Sequence, residues 1–176
     1  MMRRWWIGLA AVALCLAAPP KVSRAQLKVL EVGFDQRIGR ANIDDPFDIL
    51  GATRAVYMDG FGVVLSTEVN LVVGPAITPF RPKLSVEEVE KLRQRKLARL
   101  PQLKQLMRDM MITSATTLKS MPAEEQVVVG SHLFFYSWED RKDLPEQLVM
   151  KASRKALLEV EAGRSKVETV VQEQAF

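Results

Sequence analysis

The chain holds one histidine and one cysteine in 176 residues, which narrows its possible chemistry at the outset. His132 sits between Ser131 and Leu133 in a valine-rich run. An imidazole becomes a general acid–base when a carboxylate orients it and raises its proton affinity. The carboxylate a sheet could bring to it is Glu68, if the two strands are neighbours and His132 shares the face of Glu68 and Asn70. The same Glu68–His132 juxtaposition is also an ordinary cross-strand polar pair. Ser131 offers the ring no nucleophile, because adjacent strand residues point to opposite faces. The residue pattern therefore favours a structural His132 over a catalytic one.

Two further groups invite a functional reading. Asp44, Asp45 and Asp48, with Asn42, offer hard oxygens in a loop. Calcium needs six to eight such ligands, the spacing is not that of an EF-hand, and aspartates at turns commonly bond their own backbone. No metal or other cofactor is expected. Lys91, Arg93, Arg95, Lys96 and Arg99 fall within a short stretch that contains no acid. On a helix, at about 100° per residue, they spread around most of the circumference. A solvated, partly ion-paired surface is one reading. Contact with another envelope protein or an anionic envelope surface is the other, and makes these five residues the candidate binding set.

Several chemistries are missing. There is no G-x-S-x-G, no G-x-x-x-x-G-K-[ST] and no G-x-G-x-x-G. The only cysteine, Cys15, lies in an N-terminal stretch with the features of an export signal. Arg3 and Arg4 precede an apolar run from Trp5 to Ala18, Pro19 and Pro20 break it, and Ser23-Arg24-Ala25 places small residues where a signal peptidase reads them. The run is shorter than the roughly 20 residues that span a bilayer. Leu14 before Cys15 departs from a lipid-attachment motif, and Arg3-Arg4 alone is weak evidence for twin-arginine export. Residues 1–25 are therefore read as a secretory signal peptide and 26–176 as a single domain, periplasmic or secreted, with no transmembrane helix. Without 1–25, thiol nucleophiles, disulfides and cysteine-ligated zinc are excluded. The precursor's 25 Lys+Arg against 21 Asp+Glu fall to 21 of each, so the charge gives no argument for nucleic acid as a partner.

The elements that must position these residues follow from periodicity. Leu27, Leu30, Phe34 and Ile38 mark one face of a helix. Thr53–Met58 and Phe61–Val73 flank Asp59-Gly60, a hairpin signal, and Val63, Leu65, Thr67, Val69, Leu71 and Val73 alternate with Val64, Ser66, Glu68, Asn70 and Val72. One buried and one partly wet face suit a sheet covered on a single side. Ser85-Val86-Glu87-Glu88 is a capping box that starts a helix running to about Ser120, with a kink expected at Pro101. Its second half carries a stripe of Leu103, Leu106, Met107, Met110, Met111 and Leu118. Gln126–Trp138 and Gln147–Lys151 read as strands, Arg154–Ala162 as a helix capped by Ser153, and Val167–Val171 as a last strand. The fold class is α+β: an antiparallel sheet with helices packed on one face, including one long Pro-kinked helix.

Asp44-Asp45-Pro46-Phe47, Tyr57-Met58-Asp59-Gly60-Phe61-Gly62-Val63, Glu68-Val69-Asn70-Leu71, Pro79-Phe80-Arg81-Pro82 and Leu144-Pro145-Glu146-Gln147 together resemble a group of uncharacterised exported bacterial proteins. The resemblance implies one exported domain and carries over no functional residue. The expected role is that of a non-catalytic binding or scaffolding module of the cell envelope. The alternative is a small periplasmic hydrolase using Glu68 and His132, or the Asp44/Asp45/Asp48 loop.

Overall fold

The computed structural model describes residues 21–42, 44–75, 77–80 and 83–176. Residues 1–20 of the expected signal lie outside them, as do Ile43, Ala76, Arg81 and Pro82. In chain order the elements are α1 (Arg24–Arg40), β1 (Asp48–Met58), β2 (Gly62–Asn70), α2 (Val86–Thr117), β3 (Gln126–Leu133), β4 (Gln147–Ser153), α3 (Arg154–Glu161), α4 (Val167–Val170) and β5 (Gln172–Ala175). The fold is α+β, as the periodicity predicts. The strands form one sheet in the order β1-β2-β3-β4-β5.

All neighbouring strand pairs are antiparallel except β2–β3, which is parallel. A parallel pair needs a long crossover, and α2 supplies it. This 32-residue helix begins at the Ser85 capping box and runs unbroken through Pro101. Its far end is closed by Arg154, whose Nε donates to Ala115 O at 2.9 Å and Nη1 to Met121 O at 3.0 Å. Cationic donors suit the carbonyls left over at a helix C-terminus.

The core lies between the helices and one sheet face. Val63, Leu65 and Val69 of β2, Val127 and Val129 of β3, and Leu148 and Met150 of β4 meet Phe34 and Ile38 of α1 and Leu103, Met107, Met110 and Met111 of α2. Leu106, part of the expected stripe, is only half-buried, beside a groove against Gly33 and Gln36 of α1.

The structure shifts several expected elements: the strand expected over Gln126–Trp138 ends at Leu133, and the one expected over Phe61–Val73 ends at Asn70. Val167–Val171 is not a strand: α4 occupies most of it, and the last strand is the exposed Gln172–Ala175. Its first three residues are polar, so it carries no alternating signal; it is fixed by pairing with β4 and by Lys104 and Arg108 of α2 gripping Glu173. The hairpin loop between β1 and β2 holds Asp59, Gly60 and Phe61 rather than two residues.

Two local features fix the sheet, one to its first helix and one between two of its strands. Glu31 of α1 is buried to 1% exposure, and its Oε1 accepts from Ala55 N of β1 at 2.9 Å. Arg24 grips both carboxylate oxygens, at 2.7 and 3.0 Å. Burial opposes ionisation of Glu31, but Arg24, the Ala55 N–H and Lys28 outweigh it and hold the carboxyl below its ordinary value. At the hairpin, Gly62 has φ of 130°, and a Cβ there would lie 1.9 Å from Gln126 O of β3. Only glycine lets β2 approach β3 at that point.

Two outcomes follow. Gly62→Ala should destabilise the protein by about 2–4 kcal/mol in urea titration, since it adds both a strained φ and a backbone clash. The depressed Glu31 carboxyl contributes stability that is complete above its unfolded value near 4.5 and is lost as pH falls through the lower folded value. The acid limb of the stability curve should therefore flatten in Glu31→Gln.

Candidate functional site

Because the helices lie on one side, alternation leaves every second strand residue on a face that no helix among the described residues covers. Strand register places these residues in rows. Val56, Val64, Val128 and Lys151 are successive partners, and Arg54, Ser66, Gly130 and Val149 form the next row. Glu68, His132 and Gln147 form the third. Val56 is 56% exposed, and Val64, Val128 and Val149 are half-buried by their neighbours alone. The result is a valine stripe with a dip at Ser66 and Gly130, bordered by Arg54, Glu68, His132 and Lys151.

Glu68 and His132 thus meet as the sequence pattern allowed: they are direct register partners, both exposed. No hydrogen bond joins them among the described residues; the His132 Nε2 instead lies 3.4 Å from Gln147 Nε2. They share two shallow depressions, of about 220 and 230 Å³, one toward Arg54 and the β1 bulge at Gly51, the other toward Arg141 and Glu146. Ser131 is buried on the helix side beside Thr67, and neither hydroxyl has a hydrogen-bond partner among the described residues. Ser66, which the sequence reading did not single out as functional, shares the open face with Glu68 and His132. Its position two residues before Glu68 is the signal that could have found it. Nucleophilic catalysis needs the nucleophile bonded to its base, and Ser66, Glu68 and His132 have no such bond among the described residues.

The basic half of α2 is largely neutralised from within. Lys96 is 1% exposed and pairs with Glu139, whose side chain is 2% exposed. Its Nζ also donates to Phe134 O at 3.2 Å and lies 4.6 Å from the Phe135 ring centroid. Burial pulls the Lys96 ammonium below its ordinary value, with Glu139 opposing the shift. Arg93 binds Glu90 through two hydrogen bonds of 2.9 and 2.7 Å and reaches Asp140 and Asp143. Arg95 and Arg99 converge on Asp45 Oδ2 at 3.0 and 2.8 Å, and Arg99 lies over the Phe47 ring. Lys91 is exposed.

The aspartate loop is used in the same internal way. Asn42 Oδ1 accepts from the backbone of Asp44 and Asp45, Asp45 anchors the two arginines, and Asp48 opens β1. Among the described residues no group of three acidic, histidine or cysteine side chains is placed to hold a metal ion.

Removing one partner of a buried ion pair leaves an uncompensated charge, whereas replacing both need not destabilise. Glu139→Gln should cost about 3–5 kcal/mol. The double variant Lys96→Met/Glu139→Leu should recover most of that loss in the same denaturation assay. His132→Gln should change stability by about 1 kcal/mol or less, because an exposed imidazole with one long contact contributes little. No family model matches the chain, and neither the curated proteins nor the solved structures give a match, so the open sheet face and its side chains alone carry the functional reading.

Proposed function

We propose that the chain is an exported, non-catalytic binding module of the cell envelope, and that the uncovered sheet face is its contact surface. The observation that carries this reading is the valine stripe Val56–Val64–Val128, with Val149 beside it, left bare on one face of a five-stranded sheet. Apolar rows rimmed by polar side chains are the surfaces proteins use to bind one another. Export rests on the sequence features of residues 1–25. Among the described residues no helix is long and apolar enough to cross a membrane.

The partner this face fits is another protein rather than an anionic surface. Arg54 and Lys151 share the face with Glu68, so its rim carries both signs of charge, and Arg93, Arg95, Lys96 and Arg99 are committed to internal carboxylates. A mixed-charge apolar face matches a protein with complementary charges. The hydrolase reading has one observation in its favour, the gathering of Ser66, Glu68 and His132 on one face.

A photo-crosslinking side chain at Val56 should yield one discrete adduct in the cell envelope, and the same group at Gln94 or Gln105 on α2 should not. The Val56 adduct should disappear when Val64→Glu is added while the unfolding curve stays unchanged. Adducts independent of position, or an unaltered adduct with Val64→Glu, would count against the sheet face. Hydrolysis of a generic ester or peptide substrate that is abolished by His132→Gln would move the enzyme reading ahead.

A further inference from the structure

The sequence reading places the export cut after Ala25, but the fold uses the residues that this cut would remove. Val22 is 3% exposed and belongs to the core. Ser23 caps α1: its Oγ accepts from Gln26 N at 3.3 Å, and Gln26 Oε1 accepts from Ser23 N at 2.8 Å. Arg24 holds the buried Glu31 and also donates to Ala55 O at 3.3 Å. Lys21 completes the set. Its carbonyl accepts from Ser120 Oγ at 2.5 Å, and its ammonium lies 2.8 Å from Asp59 and 3.9 Å from the nearly buried Glu125.

A cut after Ala25 would undo each of these at once. The first turn of α1 would lose its cap and gain an α-ammonium where the helix dipole disfavours positive charge. Glu31 would keep Lys28, at 3.4 Å, and one backbone donor, but lose the two-point grip of Arg24. Breaking a buried charge pair from one side is among the more destabilising changes a fold can suffer.

We infer that Lys21–Ala25 is a structural clasp of the mature protein, and that signal peptidase cuts on its N-terminal side, at the Ala17–Ala18 bond. Water adds across that amide: the C–N bond breaks, Ala17 leaves with the carboxylate and Ala18 keeps the ammonium. Small residues then stand at both recognition positions, Ala17 next to the cut and Cys15 two residues before it. Ala18–Pro19 is the neighbouring bond, and the proline ring on its leaving nitrogen makes it a poor substrate. The apolar run from Trp5 to Leu14 still falls within the length such signals use.

The inference rests on the export reading, and the experiment separates the two. The full precursor is expressed with its own signal, and protein from the exported fraction is weighed intact. The expected mass begins at Ala18. Ala17→Leu should block processing and accumulate precursor. Ala25→Leu should not, and Ala25 is exposed in α1, so the substitution leaves the core alone. Arg24→Gln, purified from the same fraction, should lower the urea midpoint by about 1 M or more, given ordinary dependence of stability on urea. A mass beginning at Gln26, with an Arg24→Gln midpoint equal to wild type because the residue has been removed, overturns the inference. Uncut protein that stays in the cytoplasm overturns export and the cut together. The Arg24→Gln midpoint then still decides the clasp, and an unchanged value there refutes it.

Discussion

The parallel pairing of β2 with β3 is the constraint on which the rest of the molecule depends. Two parallel strands cannot be joined by a tight turn, so the chain must leave the sheet, cross it and return. The 32 residues of α2 make that crossing on one side, and α1 and α3 pack on the same side. One hydrophobic core is thereby closed, and among the described residues the opposite sheet face is left without a layer of its own. Gly62 is where the constraint is tightest, because β2 begins in van der Waals contact with the backbone of Gln126.

The same crossing explains why a strongly basic helix is not a basic surface. The first half of α2 meets the segment that follows β3. Lys96 is buried there against Glu139, and Arg93 is held over Asp140 and Asp143. At the other side of the helix Arg95 and Arg99 are tied to Asp45. Internal ion pairs of this kind add little net stability over a well-packed apolar alternative, yet they are costly to break from one side. They make the helix register specific at the expense of its availability to external anions.

Much of this was legible in local sequence pattern. The alternation in β2 identified its buried face from Val63 to Val69, where Val63, Leu65, Thr67 and Val69 all lie under the helices, but it fails where the strand ends: Asn70 and Val72 are buried and Val73 is exposed. Ser85-Val86-Glu87-Glu88 marked the start of α2, where both halves of the capping box form. The pairing of Glu68 with His132 could be posed only as a condition, since register between strands far apart in sequence is set by the crossover rather than by either strand. The buried fate of Lys96 was hidden for a related reason: its partner Glu139 lies in a charged loop that reads as solvent-exposed. β5 carried no signal because its four residues are all exposed and the first three, Gln172, Glu173 and Gln174, are polar whichever face they take. The role of Lys21–Ala25 was obscured by overlap, since Ser23-Arg24-Ala25 satisfies a peptidase pattern while Ser23 and Gln26 also form a helix cap.

The central claim is that the uncovered sheet face is occupied in the cell. Single cysteines at Val56, Val64 and Val128, with Cys15 replaced by serine, give thiol probes on that face, and Gln94→Cys on α2 gives a control. Reaction with a charged maleimide is compared between intact envelopes and purified protein. Occupancy predicts that the three sheet-face positions react readily when purified and are protected at least about tenfold in the envelope, a free-energy difference of about 1.4 kcal/mol, while Gln94→Cys reacts alike in both. Equal reactivity of the sheet-face thiols in the two settings would contradict it.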